Sequence, residues 1–520
     1  MNDVTIILLL VAITTGLSLA AVSIRVPYPT AMVIAGLIIG AAVFKFPRLD
    51  SLSIQLDPRV LFTAILPPLL YAAAWNTSWN SFRANLRPIV MLATGAVVFT
   101  TVGIAGTAML LIPGFTWPMA FTLGAVVSPP DAVAVGAVTE RLRIPKRITT
   151  ILEGESLVND ASALVIYRFA LAAAMGATFS LSTALWQFPL VVIGGVGVGL
   201  GMAFLLHQVH QRIEQPLIET ALTLLTPYAA YLLAESIETS GVLAVVTCGI
   251  VLSRHSPHLF SSQTRLIAVG FWTFLTFMLN GLVCILIGLQ LPAILRQLHV
   301  SLPSAIGYAA VVCAVLLALR ILWMFPAAYL PRVFPSVRKK EPRPSWQQVL
   351  LVGWVGMRGV VSLAAALSIP AANDKGTPLP ARDLVLFLTF AVILVTLVGQ
   401  SLTLPAVIRL LRIESPKDEQ CEETEARRRA LTSALELLST QAESHESSTL
   451  RTLYAHRLEH LANCDDAPEG VPDREEVLLL QTIRVQRTTL VGLRDKGQIS
   501  DELLRKLERE LDLEESRIPR

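Results

Sequence analysis

Apolar runs of membrane-crossing length recur along the chain from residue 4 to residue 411, divided by short polar segments that hold most of its arginines and lysines. A crossing helix needs about 20 predominantly apolar residues. On that measure the pattern predicts thirteen spans, at 4–23, 28–46, 58–76, 87–113, 117–138, 147–175, 184–206, 217–236, 240–254, 266–292, 304–330, 346–370 and 382–411. The ninth is short enough to be tilted or re-entrant. The first span has no basic segment ahead of it and follows Asp3, so it is expected to be a retained helix and not a cleaved signal.

After residue 413 the pattern changes. EARRRALTSALELL and DELLRKLERELDLEE space apolar residues three and four apart with Glu/Arg pairs between them, which predicts amphipathic helices. CDDAPEGVPD lies between them as a linker. The expected fold is therefore all-α and polytopic, a transmembrane domain at 1–412 followed by a cytoplasmic helical tail at 413–520. The tail is expected to dimerise or solubilise the protein, with regulation through an unknown ligand as the alternative.

Composition agrees with a membrane protein. Of 520 residues 53% are hydrophobic and 16% charged, and the mean hydropathy is +0.60; soluble domains carry about 25% charged residues. A net charge of +3 suggests no nucleic-acid partner. The five cysteines are scattered without CxxC or CxxxH spacing, so neither a disulfide framework nor a zinc site is indicated. Alternate loops differ sharply in Lys and Arg. One set, which includes Arg83, Arg87, Arg141, Arg147, Arg332 and Lys339, holds fifteen; the other, which includes Lys45, Arg59 and Arg296, holds six. The positive-inside rule then places the amino terminus outside and the carboxyl tail in the cytoplasm.

Two carboxylates are stranded in these spans: Asp131 in GAVVSPPDAVAV and Asp160 in GESLVNDASALV. A charge at mid-membrane costs at least ~2.5–3.5 kcal/mol. Pro129 and Pro130 lack N–H groups, so the helix of the fifth span must break beside Asp131. Irregular backbone at membrane depth is tolerated where it lines protein or a cavity, and transporters use such breaks to offer carbonyls and dipole ends to ions. The half-helix following the break is expected to set its N-terminal dipole against Asp131. A proline kink with a satisfied aspartate is the alternative.

In the sixth span Glu155 and Asn159, and Ser156 and Asp160, are each four apart and share a helix face. The Ser156 hydroxyl and Asp160 carboxylate suit a small hard cation, which prefers oxygen ligands. Asn159 adds hydrogen bonds without a second titratable charge; plain helix packing is the alternative for Ser156 and Asn159. Arg320 and Arg358 lie in the eleventh and twelfth spans, where a buried guanidinium needs a partner, and Glu155 is available to one of them. Gly353, Gly356 and Gly359 mark a close approach or a second break in the twelfth span. Interruptions in the fifth and twelfth spans fall at matching places of two six-span halves, the pattern of inverted repeats.

Lesser features are read more plainly. His207, His210, His255 and His258 are expected as solvated loop residues at the membrane edge, with pH sensing as the alternative. Arg168 is expected to snorkel, and Glu235 and Glu238 to line an outer cavity or a loop. An intramembrane aspartyl protease would also hold two membrane aspartates, but in Tyr-Asp and Gly-x-Gly-Asp contexts; here they are PPD and VND.

With these residues in view, the sequence resembles the monovalent cation/proton antiporter family that holds bacterial NhaP-type and animal sodium/proton exchangers. The resemblance rests on LPPLLYAAAWN (66–76), SPPDAVAV (128–135), ESLVNDA (155–161), residues 271–291, GMRGVVSLA (356–364) and LVGQSLTLP (397–405), and it covers residues 4–411. The tail resembles that of bacterial members. The resemblance implies a secondary active antiporter of a bacterial inner membrane, exchanging Na+ for H+ by alternating access, one for one and electroneutrally, without a cofactor, in pH homeostasis. A K+/H+ antiporter of the same fold, or one preferring Li+, is the alternative. It implies a homodimer in membrane lipid, each protomer with a mobile core of spans 4–6 and 11–13 and an interface domain of spans 1–3 and 7–10. Asp160 would carry the cation or proton. Asp131, Ser156 and the backbone at Pro130 would complete the monovalent-cation site, Asn159 would suit the electroneutral stoichiometry, Glu155 would pair with Arg320, and Arg358 would support them. The chain departs from the family's Thr-Asp-Pro at the break, with Pro130 in place of the threonine and Ala132 in place of the proline, so a hydroxyl ligand is missing. The glutamate of the third-helix motif is absent too, with Ala73 in that neighbourhood.

Overall fold

The computed structural model of the chain describes residues 11–19, 27–45, 57–131, 144–177, 180–213, 215–340, 343–373, 376–413, 418–440, 445–464, 474–496 and 501–515. It forms two compact units, Met1–Ser415 and Pro416–Arg520. The regular structure of the described residues is helical.

In the first unit the helices are α1 (residues 11–19), α2 (Tyr28–Lys45), α3 (Pro58–Asn76), the short α4 (Trp79–Ala84), α5 (Leu86–Leu111), α6 (Trp117–Val127), α7 (Lys146–Ala174), α8 (Leu181–His210), α9 (Pro216–Ser236), α10 (Gly241–Leu259), α11 (Ser262–Leu289) and α12 (Leu291–Gln297). They continue with α13 (Leu302–Tyr329), α14 (Pro335–Lys340), α15 (Trp346–Trp354), α16 (Val360–Leu367) and α17 (Arg382–Leu411). Among the described residues nine of these helices are long and apolar enough to cross a membrane. The ninth expected span is one of them: α10 runs for 19 residues, a full crossing rather than a short re-entrant piece. Its sequence ends in the polar SRHSPHL, which hides the last two turns from a hydropathy reading. The twelfth expected span is split into α15 and α16, and of the fifth the structure describes α6 and the chain as far as Asp131.

Local chemistry sets several of these shapes. α3 contains a wide π turn at Leu61–Ile65, directly ahead of Pro67 and Pro68. In a regular helix those rings would strike the carbonyls of Thr63 and Ala64. The widened turn relieves this, and the Ala64 carbonyl accepts the Tyr228 hydroxyl of α9 at 3.0 Å. Two helix backbones touch where α2 crosses α11: a Cβ on Gly36 would meet the Ile285 carbonyl, and one on Gly288 would meet the Gly36 backbone. Such close passage is how helices associate without a hydrophobic drive between them. α15 opens with a capping box, Ser345 and Gln348 each bonding the other's backbone N–H.

Three apolar clusters hold the unit together. The largest joins α3, α5, α6, α13, α16 and α17 through residues such as Ile104, Leu123, Leu363 and Leu388. A second includes Ile285, Leu351 and Met357, and a third includes Tyr71, Ala230 and Val245.

The tail unit holds α18 (Asp418–Thr440), α19 (His445–Cys464), α20 (Arg474–Asp495) and α21 (Asp501–Glu515). α18 packs on α19 and α20 on α21, the latter pair around Ile483 and Leu511. Arg487 of α20 pairs with Asp512 and with Glu515 of α21. On α18, hydrogen bonds from Arg428 and Arg429 hold the Glu425 carboxyl down to about 2.

Candidate ion site at two crossed, broken helices

The sequence breaks two helices at membrane depth, and the breaks meet. α6 ends where the Ser128 N–H bonds the Gly124 carbonyl at 3.0 Å, and Pro129 and Pro130 follow without donors. α15 ends where the Val355 N–H bonds the Leu351 carbonyl at 2.9 Å, and residues 355–359 run non-helically to α16. There the Asp131 N–H donates to the Met357 carbonyl at 2.7 Å. The Asp131 carboxylate in turn accepts from the Val360 N–H, at the start of α16, at 3.4 Å. The sequence reading set Asp131 against the half-helix of its own span; that half-helix lies outside the described residues. The helix N-terminus that meets the carboxylate here belongs to the other broken span, and its dipole favours a negative charge at that place. A Cβ on Gly359 would collide with the Asp131 carboxylate, so only glycine permits the approach.

Each broken end leaves carbonyls without helical partners, and a buried guanidinium meets each set. Arg358 donates from Nε to the Val127 carbonyl at 2.9 Å and from Nη2 to the Ser128 carbonyl at 3.1 Å, with Nη1 on the Gly356 carbonyl. Arg320 donates to the Val355 carbonyl at 2.9 Å and forms a two-armed ion pair with Glu155, at 2.7 and 3.0 Å. Glu155, Arg320 and Arg358 are all buried. The cations sit against the negative ends of half-helices α15 and α6, where helix dipoles favour them. The Arg358 backbone N–H is held by the Thr396 hydroxyl at 3.1 Å.

α7 carries the remaining groups. Glu155, Ser156, Asn159 and Asp160 are buried in one stretch of it. Asn159 donates from Nδ2 to the Pro130 carbonyl at 2.8 Å, which ties α7 to the break. Asp160 and Ser156, one turn apart, line a cavity of about 30 Å3 that Asp131 also lines. α3 closes it with Leu66, Leu69, Leu70 and Ala73, and α16 with Val360 and Val361. That volume matches about one water or one small ion. Among the described residues no Lys or Arg pairs with Asp160, and no three His, Cys, Asp or Glu stand together as a metal cluster. The polar side chains that line it are two carboxylates and a hydroxyl, oxygen ligands that suit a small hard cation; Pro130 is not among the lining residues.

The apolar lid from α3, the Met357 carbonyl and the Thr396 hydroxyl are absent from the sequence reading. The LPPLL motif was a signal for the first; nothing in the sequence marks the other two.

Several lesser expectations change. His207 and His210 lie in α8 and His255 and His258 in α10, not in loops. His210 is buried with its ring edge-on to Phe260 at 4.9 Å, and His207 packs on His255 at 5.5 Å. Both helices run on through the polar residues that suggested loops, and α10 does so past Pro257. Arg168 pairs with Glu235 at 2.7 Å, so it does more than reach for the interface.

Residues 6–410 match the sodium/hydrogen exchanger transmembrane family. The chain is 36% identical to an uncharacterized Na(+)/H(+) exchanger of Mycobacterium tuberculosis, over 98% of this chain and 95% of that one. It is 32% identical to a sodium, potassium, lithium and rubidium/H(+) antiporter of Bacillus subtilis, over 92% of this chain and 72% of that one. In fold it is similar to the sodium proton antiporter MjNhaP1 of Methanocaldococcus jannaschii, with a TM-score of 0.60 at 20% identity, covering 77% of this chain and 100% of that one. The crossed broken helices and these likenesses agree: the chain belongs to the sodium/hydrogen exchanger family and is a membrane-spanning cation/proton antiporter, a secondary transporter and not an enzyme.

Proposed function

We propose that the protein exchanges Na+ for H+ at Asp160, one ion for one proton, by alternating access. The observation that carries this reading is the small cavity shared by Asp160, Ser156 and Asp131 at the crossing of the two breaks. A bare carboxylate there is costly, and either a proton or a monovalent cation neutralises it. The two cannot be held together, so occupancy by one expels the other. Exchange follows if the core crosses only when loaded and the cavity opens to one side at a time.

In this reading Ser156, Asp131 and the Pro130 carbonyl complete the cation's oxygen shell. The Glu155–Arg320 pair is a static brace, and Arg358 holds the broken ends. Asn159 spends its amide on Pro130 and brings no second charge, which supports an electroneutral cycle. Spans 4–6 and 11–13 form the moving core, and spans 1–3 and 7–10 form the interface of a homodimer, in the inner membrane with the tail in the cytoplasm. Na+ is the first choice of ion, and Li+ and K+ remain within the reading because the Bacillus relative bears those names.

The test is Asp160→Asn in everted vesicles. Exchange is expected to vanish while the protein still inserts; sodium-dependent dequenching of a pH dye in that variant would overturn the assignment. Wild-type proteoliposomes offered Na+, Li+ and K+ in turn then rank the ions.

A further inference from the structure

A second cavity, of about 240 Å3, lies among α13, the end of α15 and the middle of α17. Arg358 lines it, and none of the residues that line the ion cavity does. α17 faces it with Thr396, Gly399, Gln400 and Thr403, positions three and four apart on one side of the helix. A π turn at Val395–Gln400 widens α17 here, and such turns frequently stand at functional sites. Two polar groups of this wall have nothing to bond. Gln400 is 5% exposed, and its Oε1 is buried without a hydrogen-bond partner among the described residues; so is Nε1 of Trp354. The first accepts and the second donates. The Thr396 and Thr403 hydroxyls are already spent, on the Val392 carbonyl at 2.8 Å and the Gly399 carbonyl at 2.7 Å, and the Arg358 guanidinium serves the broken helix ends. Buried polar groups left alone are costly, so two in one cavity call for an occupant that serves both.

We propose that this cavity binds a small neutral amphiphile from the bilayer, with a hydroxyl or primary amide head and a short apolar body. Such a head both gives and accepts a hydrogen bond, so it serves Gln400 Oε1 and Trp354 Nε1 together. A cationic head would face the guanidinium of Arg358, the charged group among the described residues that line the cavity. An anionic head would bring a full charge to mid-membrane and face the Gln400 oxygen. The apolar body lies against Leu316, Leu317 and Val395. Its size follows from the volume: a cavity of about 150 Å3 takes benzene, so one of about 240 Å3 takes roughly nine heavy atoms, the size of octanol.

The place of the cavity in the fold says where the occupant comes from. Leu316 stands midway along α13 and Thr396 midway along α17, which sets the cavity at mid-membrane depth. Its rim at Val395, Gly399 and Thr403 is exposed, and a Cβ on Gly399 would meet open space. The occupant therefore enters sideways from the bilayer interior. Thr396 also holds the Arg358 backbone N–H at 3.1 Å, so an occupant braces α17 beside the crossing of the two breaks. Binding needs only the folded chain in a bilayer; it stands or falls separately from the exchange chemistry.

The test uses the full chain in lipid vesicles and a photoactivatable octanol. Saturable labelling is expected in segments 313–317 and 395–403 and at Trp354. Excess octanol or octanamide is expected to displace it, and octane at the same membrane concentration to leave it in place. Gly399→Leu, which sets a side chain in the open space, is expected to abolish the labelling. Gln400→Leu is expected to weaken the apparent affinity about fivefold, the worth of one hydrogen bond. Labelling that does not saturate, or that octane displaces equally, overturns the proposal and leaves an apolar gap. Absence of label from all these places overturns it in favour of water. Wild-type labelling in both variants overturns it as well. Should Gly399→Leu fail to fold, Gln400→Leu and the octane control decide the matter.

Discussion

The side chain of Asn159 holds the main-chain carbonyl of Pro130 at 2.8 Å, so the helix that carries Asp160 is tied directly to the break of another span. The same residue leaves Oδ1 buried without a hydrogen-bond partner among the described residues. Asn159→Ala removes the bond that the Pro130 carbonyl accepts from this side chain, at a buried place. A buried acceptor left alone costs about 1–3 kcal/mol. The variant is expected to show a lower Tm in detergent and slower exchange at saturating Na+. An unchanged Tm would mean that the bond does not hold the break in place.

Glu155 and Arg320 form a buried two-armed pair, and breaking one partner of such a pair costs about 3–5 kcal/mol. The two sides are not equivalent. Arg320 also holds the Val355 carbonyl, whereas the Glu155 carboxylate bonds Arg320 alone among the described residues. Arg320→Met is therefore expected to lose more folded protein than Glu155→Gln, measured as the yield after size-exclusion chromatography. Whatever survives of Glu155→Gln should keep the wild-type apparent Na+ affinity. A changed affinity at normal yield would move Glu155 from the brace into the ion site.

Glu425 on the tail stays ionised down to about pH 2, because Arg428 and Arg429 hold its carboxylate. A depressed folded value stabilises above the unfolded carboxyl range, near 4.3 for glutamate, and the contribution fades as pH falls through about 2. Nothing in this cluster titrates between pH 5 and 8. Glu425→Gln is accordingly expected to leave the pH profile of exchange where it was, read as initial rates across that range. A displaced profile would assign the tail a part in pH control.

Much of the membrane unit was legible in the sequence because its signals are local. Length and apolarity locate α3, α5, α7, α8, α9, α11, α13 and α17, and Pro129–Pro130 announce the first break. The ninth span was read as short because its last turns are polar, a feature that hydropathy counts against a helix and backbone hydrogen bonding does not. What stayed hidden depends on spans far apart in sequence. Met357 bonds Asp131 across 226 positions, and Thr396 fixes Arg358; neither residue type signals such a role. The helix start expected for Asp131 in its own span lies outside the described residues, and the second address, the start of α16, was not legible.

Gly359 carries a sharper test of that address. A methyl group there collides with the Asp131 carboxylate, and the backbone on both sides is fixed by the Asp131–Met357 and Arg358–Thr396 bonds. The carboxylate must swing away from α16 or the crossing must part. Gly359→Ala is expected to insert and to lose most exchange, whereas Gly399→Ala, where a Cβ has open space, should stay close to wild type in everted vesicles. Equal activity in the two variants would show that Asp131 does not need its present position.

Arg358 bears on how the breaks survive at all. Its guanidinium serves the Val127 and Ser128 carbonyls of α6 and the Gly356 carbonyl of its own segment. Three acceptors served by one side chain suit a rigid fork of several donors, which arginine has and lysine lacks. Arg358→Lys keeps the charge near the end of α6 but serves fewer carbonyls, and each buried one left over costs about 1–3 kcal/mol. Arg358→Met loses the charge as well, so the negative end of α6 faces an apolar side chain. The expected order of Tm in detergent is wild type, then Lys, then Met, with exchange falling in the same order. A methionine variant that folds and exchanges like the wild type would show that water, not this guanidinium, satisfies the broken end.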